Sequence, residues 1–540
     1  MHAMLKKALR SPWTAAALLM LPVAVLYGSH FLTHATGAWS TGFIQYDQAY
    51  YMANAREYQD GGTDGLRYAL PFSSNYHNAP IHFQPQIALL GLLWKVTGFD
   101  PGRLFVAFGL ICGLLCVRAC LALLGHARER SDRGIGLPAV LFLWGGGLLV
   151  VFGLIYGIAQ GLGAASAWDG AFRFDPGGGW WFLNLGRNLV LPLEAYYHLL
   201  FFGTIVLVVR QHYRSAFVVL ALLAISHPFT GVGALLMLLA WSMVERWGVR
   251  SRAVPLWFPI SIALILALVL VQHTVLLPQD AEHRILMDQW KLPWTEQAIN
   301  FVPAYALVGS LAVIRLRSLE RSRSAMGTPL GRLLLIWAVV WFALENHELF
   351  MEAHQPLHFT RGYTWSALFL LGVPALDELS AWSKQQWRGS VRIIATVVLV
   401  AVLLLDNAAW MGRQYQALYT DSASSQAFVL DRDRRDLFNA LNDLGTGQPL
   451  LVAEDPNVAY LAMVYTPLRS YYSHHSNTPH AKQCREALGA FFDGRITDPI
   501  LNGDLVVVAY ERERPFVFAG RAERVYTNAT YTVYRMSGAK

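Results

Sequence analysis

"HFQPQIALLGLLWKVTG", residues 82–98, is the stretch whose placement decides the topology of the chain. A membrane-crossing helix needs about twenty apolar residues, and this run offers only about fifteen. It also carries Lys95. We read it as a helix lying in the outer interface. Counted as a span, it would put every later segment on the opposite side. The three arginines of "HARERSDR" (residues 126–133) would then lie outside. As an interfacial helix, it lets 103–124 cross inward, and those arginines fall in the cytoplasm, as the positive-inside rule favours.

The composition agrees with a membrane protein. Of 540 residues, 54% are hydrophobic and 15% charged, where soluble domains carry about a quarter charged. The 18 tryptophans suit membrane–water interfaces. A net charge of +7 is explained by Lys and Arg in short connections between apolar runs, so nucleic acid is not expected as a partner. Cys112, Cys116 and Cys120 form one helical stripe in an apolar run and read as small buried hydrophobes. Cys484 has no partner for a disulfide framework.

Lys6, Lys7 and Arg10 precede an apolar run at 13–32, too long for the core of a signal peptide. An uncleaved first helix with a cytoplasmic N-terminus is therefore expected, followed by an outside loop at 33–102. About eleven transmembrane helices follow from the hydropathy pattern, with residues 1–410 as the membrane domain. Residues 424–540 are expected to form an extracytoplasmic α/β domain. Its helices lie at "RRDLFNALNDLG" and "HAKQCREALGAFF", its strands at "PLLVAED" and "DLVVVAY", and its closing hairpin at "ERVYTNATYTVYRM". No P-loop, dinucleotide fingerprint, HExxH or CxxC occurs.

Polar groups in apolar surroundings nominate the chemistry. In "TGFIQYDQAYYMANAREYQDGG" (residues 41–62), Asp47 sits where the chain leaves the bilayer. A carboxylate there can act as a base, or it can simply favour the dipole of a first helical turn. Helical spacing puts Asp47, Tyr51, Asn54 and Tyr58 on one face, with Tyr50 beside them. Glu194 lies one turn into the apolar "NLVLPLEAYYHLLFF", with His198 at i+4. An acid inside a span is costly and marks function by default. His227 sits at the apex of the hairpin "SHPFTG", where Pro228 frees a backbone carbonyl. His354, His358 and Arg361 cluster in "EAHQPLHFTRGYTW", and the planar fork of Arg361 suits phosphate. The same histidines with Glu348 or Glu352 lack a fixed metal-ligand spacing.

Taken together, "QYDQAYYMANARE", "APIHFQPQIALLGLLWKVTGFDPGRL", "PLEAYYHLLFF" and "AFVVLALLAISHPFTGVGALLML" resemble the GT-C superfamily of polyprenyl-phosphate-sugar glycosyltransferases. That superfamily includes the lipid A aminoarabinose transferases and the protein O-mannosyltransferases. The resemblance runs through residues 1–250 in order. It departs in having a single acid in the first loop and in spreading the usual double proline to Pro80 and Pro85. It implies an enzyme with Asp47 as general base and Glu194 as the second acid. Arg361, Arg187, His358, His354 and His227 would then hold the donor phosphate. Tyr50, Tyr51, Asn54, His82, His198 and Asp175 of "FDPGGGWW" would line the substrate.

The implied partners are a polyprenyl-phosphate sugar donor, a glycan, lipid or protein acceptor, and the bilayer. No cofactor is called for, and a divalent metal is left open. The implied location is a bacterial inner membrane, with the C-terminal domain outside. A lipid-linked glycan flippase, a polysaccharide polymerase or ligase, and a docking membrane protein are the alternatives. A transporter would be expected to show internal symmetry and ionisable groups near mid-bilayer, whereas this chain gathers its polar groups at one face.

Overall fold

The computed structural model describes residues 11–32, 37–61, 65–128, 136–161, 163, 168–174, 185–291, 298–317, 319–419, 429–445, 449–495, 504–511 and 522–536. The chain divides into two compact units. The first comprises Met1–Leu26, Phe108–Leu270 and Leu292–Tyr419, and the second Tyr27–Ala107, Val271–Lys291 and Thr420–Lys540.

The protein is mostly helical. Among the described residues, five helices are long and apolar enough to cross a membrane: Pro101–Ala127, Pro192–Val209, Pro228–Gly248, Trp257–Gln279 and Gly389–Leu418. Two bent pairs, Pro12–Leu19 with Leu21–Leu32 and Leu137–Trp144 with Leu149–Ala159, raise the number to seven if each is one span. Several of these helices open on proline, whose fixed φ suits a first turn and whose missing N–H costs nothing there.

In the first unit, the pair Leu137–Trp144 and Leu149–Ala159 bends by 62° at Gly145–Gly147. A break in a span is tolerable only if protein groups satisfy the freed backbone. Here Asp406, fully buried in the helix Gly389–Tyr419, does so. Its Oδ1 accepts from the N–H of Val150 (2.9 Å) and its Oδ2 from that of Leu149 (3.3 Å). Asn407 Nδ2 donates to the carbonyls of Trp144 (2.8 Å) and Gly145 (3.1 Å). A side chain at Gly146 would meet Asp406 Cβ at 2.8 Å, so glycine lets the carboxylate approach.

Asp406→Leu should therefore strand two buried N–H groups, at about 1–3 kcal/mol each. The thermal-unfolding midpoint of purified protein should drop clearly, and drop less for Asp406→Asn, which keeps one carbonyl acceptor. Equal midpoints for wild type and Asp406→Leu would show that the break does not depend on this carboxylate.

The second unit joins part of the first loop to the C-terminal segment. The helix Tyr46–Gln59 packs on Pro85–Thr97, and a Cβ at Gly91 would lie 2.3 Å from the Ala55 carbonyl. Only glycine permits that approach. At 13 residues, Pro85–Thr97 is about 20 Å long, short of the ~30 Å hydrocarbon core. It buries Ile87, Leu90 and Trp94 and exposes Leu89, Leu92, Leu93 and Val96.

Strand β1 (Trp39–Ser40) pairs antiparallel with β2 (Val429–Leu430). The main sheet combines β3 (Leu450–Ala453), β4 (Leu505–Tyr510), β5 (Ala522–Thr527) and β6 (Tyr531–Met536) in the order β3-β4-β6-β5. The pair β3–β4 is parallel, and the crossover supplies the helices Pro456–Tyr465 and Ala481–Phe492. Leu488 and Phe491 of the second helix pack on Leu450, Val452, Leu505 and Val507. Segment-crossing bonds then fix the helix Tyr46–Gln59. Tyr460 Oη donates to the Tyr46 carbonyl (2.6 Å), Arg56 to the Val464 carbonyl (2.7 Å), and Arg469 pairs with Glu57 (3.1 Å).

Candidate active site

In the first unit, the chain brings several of its polar candidates together. Glu194, 6% exposed in the first turn of Pro192–Val209, forms an ion pair with Arg361, 3% exposed. Arg361 lies between the short helix Leu357–Thr360 and the helix Tyr363–Gln386, with φ +23°. Such a backbone costs a side-chain-bearing residue about 1–3 kcal/mol and persists only when its surroundings over-determine it. Here His198 helps. Its Nδ1 lies 2.7 Å from the Glu194 carbonyl oxygen and its Nε2 3.1 Å from that of Arg361. Its ring stacks on Tyr363 at 4.9 Å. The Asn188 amide also donates to the Arg361 carbonyl (3.4 Å).

Arg361 Nη2 donates to His358 Nδ1 at 2.5 Å. Guanidinium can only donate, so His358 Nδ1 accepts and its proton sits on Nε2. His227 follows the same logic. Its Nδ1 accepts from the N–H of Thr230 (3.2 Å), capping the helix Pro228–Met243. The His227 and His358 rings lie 5.8 Å apart, so two Nε2–H donors share this corner. Arg187 is buried, with its guanidinium 5.3 Å from the Trp410 ring centroid. Arg361, paired with Glu194, and the two neighbouring imidazoles make a cluster of donors suited to an anion.

In the second unit, Asp47 lies in the first turn of Tyr46–Gln59 with its side chain 58% exposed. The N-cap position belongs to Gln45, and Gln48 Oε1 accepts from the Ile44 N–H (2.7 Å). Asp47 is therefore not the cap. His474 Nε2 stands 3.4 Å from Asp47 Oδ1, and the His474 side chain is fully buried. His474 Nδ1 accepts from the N–H groups of Ser476 and Asn477 (3.2 Å each), so its proton sits on Nε2, facing Asp47. Rings of Tyr46 (4.9 Å), Tyr50 (5.8 Å), Phe72 (5.8 Å), Tyr460 (5.2 Å) and His475 (4.9 Å) enclose it. Burial pushes the Tyr46, Tyr50 and Tyr460 hydroxyls up, so they stay protonated. The arrangement is a reachable carboxylate oriented by a buried imidazole.

The remaining candidates lie elsewhere. Tyr51 stacks near Phe105 (6.3 Å), and Asn54 is buried. His82 pairs backbone to backbone with Tyr68, and its ring lies 5.4 Å from that of His283. Burial, reinforced by His283, lowers the His82 imidazole to about 4, so it is neutral at physiological pH. His354 is exposed, and its N–H donates to His347 Nε2 (2.8 Å). Asp175 falls outside the described residues. Among the described residues, no group of three or more His, Cys, Asp or Glu is placed to hold a metal ion. His474 was not singled out in the sequence; the paired histidines of "SHHS" were its one local signal.

No protein-family model matches the chain, and no curated protein matches it. Solved structures similar to it include the following two. One is the archaeal oligosaccharyltransferase AglB from Archaeoglobus fulgidus, in complex with an inhibitory peptide and a dolichol-phosphate. It is 12% identical over 91% of this chain and 69% of that one, with a TM-score of 0.41. The other is ArnT from Cupriavidus metallidurans bound to undecaprenyl phosphate, 13% identical over 96% of this chain and 97% of that one, with a TM-score of 0.45.

Proposed function

We propose that the chain is a membrane glycosyltransferase that moves a hexosyl or pentosyl residue from a polyprenyl-phosphate donor to a hydroxyl of an envelope acceptor. The observation that carries this reading is the half-exposed Asp47 backed by the inward-locked His474. Asp47 takes the acceptor hydroxyl proton as that oxygen bonds to the anomeric carbon. The bond from that carbon to the phosphate oxygen breaks, and its electron pair leaves with polyprenyl phosphate. A single displacement inverts the anomeric centre. His474 is not the base, because it is buried and its Nδ1 already accepts two backbone N–H groups.

The first unit carries groups suited to holding a phosphate, and preorganised donors of this kind stabilise the charge that builds on a departing phosphate. Arg361, Arg187 and the Nε2–H groups of His227 and His358 are such donors, and Glu194 holds Arg361 in place.

We further propose about eleven spans in a bacterial inner membrane, with residues 424–540 outside. The exposed apolar face of Pro85–Thr97 supports an interfacial placement of that helix. Ion pairs support the alternation of spans. Arg128–Asp377 (2.9 Å) joins the C-terminal ends of two helices that this topology runs inward. Arg332–Glu245 (2.6 Å) joins the start of an outward helix to the end of an inward one.

A radiolabelled panel of undecaprenyl-phosphate sugars, incorporated with the protein into right-side-out vesicles, tests the reading. Label should move to an acceptor added outside. If label moves across the bilayer with the donor intact, the chain is a flippase and the proposal fails.

A further inference from the structure

The second unit contains a cavity of about 310 Å³, walled by Ser73, Glu282, Tyr471, Thr478, Gln483 and Cys484 among others. That volume is at the lower end of the range for small-ligand pockets, about 300–1,000 Å³. Its lining is mainly polar, and one lining group is unsatisfied. Glu282 Oε2 is buried and has no hydrogen-bond partner among the described residues. A buried carboxylate oxygen in that state is costly unless something donates to it. Beside Ile285, Pro479, His480 and Cys484, the wall carries four hydroxyls and the Gln483 amide, groups that exchange hydrogen bonds with sugar hydroxyls.

The cavity is also held ready. Gln289 Nε2 donates to the Thr478 carbonyl (3.0 Å), and its Oε1 accepts from the Ala481 N–H (3.2 Å). Trp290 Nε1 donates to the Ser476 carbonyl (2.9 Å). These bonds tie the helix Ala281–Gln289, which carries Glu282, to the loop 476–481, which carries Thr478. Two walls lead directly to the Asp47 cluster. Thr478 Oγ1 accepts from the His474 N–H (3.0 Å), and Ser73 follows Phe72, whose ring faces His474.

We propose that this cavity is the acceptor subsite and that the acceptor is a glycan, whose sugar hydroxyls donate to Glu282 and meet Thr478 and Gln483. The proposal rests on the glycosyltransferase reading above for the word acceptor, but glycan binding can be measured without turnover. Cys484 provides the readout. It lines the cavity and is half-buried, whereas Cys112, Cys116 and Cys120 are buried in Pro101–Ala127. Burial pushes the Cys484 thiol up, so labelling is run at mildly alkaline pH.

The whole protein is treated with N-ethylmaleimide in the presence of maltotriose, cellotriose, mannotriose or chitotriose. At least one trisaccharide should slow modification of Cys484, and Glu282→Ala should abolish that protection. In transfer assays, Glu282→Ala should raise the KM for the glycan about ten- to a hundred-fold, as expected for a lost hydrogen bond to a charged group, with donor binding unchanged. Protection by none of the four overturns the proposal. So does an unchanged glycan KM in Glu282→Ala, or transfer to a lipid or protein acceptor that leaves the cavity open to the reagent. Protection without transfer from any polyprenyl-phosphate donor leaves the glycan site standing and removes the glycosyltransferase reading instead.

Discussion

Asp47→Asn is expected to lower turnover by about two to four powers of ten, the usual share of a general base. The substitution preserves size and leaves an oxygen that can still accept from His474 Nε2, so the loop geometry should survive. Only the capacity to take a proton is lost. The competing view, that Asp47 serves the dipole of its helix, predicts something different. A first-turn acid at an exposed position contributes about 0.3–1 kcal/mol, which would register in the unfolding midpoint and not in turnover. The N-cap position belongs to Gln45 and not to Asp47, so the substitution leaves the cap residue unchanged. Turnover is measured at saturating donor, with donor binding followed separately. A variant that binds donor and transfers sugar at the wild-type rate would strip Asp47 of its role.

What could be read in advance followed from cost. A carboxylate or an imidazole inside an apolar run is expensive, so Glu194, His198 and His227 stand out by position, while His358 and Arg361 stand out as a polar cluster whose planar fork suits phosphate. Their assembly around the Glu194–Arg361 pair required only that several helix ends meet. Local signals also sufficed for the elements after residue 424, where glycine stops and alternating apolar residues mark helices and strands. The helix Pro456–Tyr465 was passed over, although Asp455 before Pro456 is a legible start signal.

Other features had no local trace. Asp406 acts on a helix break some 256 residues earlier in the chain, and nothing near it announces that partner. His474 lies in a loop that reads as ordinary polar surface until the first loop folds against it. The cavity beside Glu282 draws its walls from three separate stretches of sequence. Periodicity reports the surroundings of a residue along its own element; it is silent on which distant element completes them.

Arg361→Lys should cost about two to three powers of ten in turnover, the range for removing one donor from a preorganised charge-stabilising site. The charge is retained, so a large loss would locate the function in the planar fork, which can serve Glu194, His358 and a phosphate oxygen together. Glu194→Gln separates holding from binding. It leaves a buried guanidinium beside a neutral amide, and removing one member of a buried ion pair destabilises by about 3–5 kcal/mol when nothing replaces it. A phosphate can replace it. The unfolding midpoint of Glu194→Gln should therefore fall in detergent alone and recover on adding undecaprenyl phosphate, with a larger ligand-induced rise than in wild type. In Arg361→Lys the same ligand should raise the midpoint less than in wild type. If undecaprenyl phosphate shifts all three proteins equally, the cluster around Glu194 is a structural knot in the membrane unit and the donor phosphate is held elsewhere.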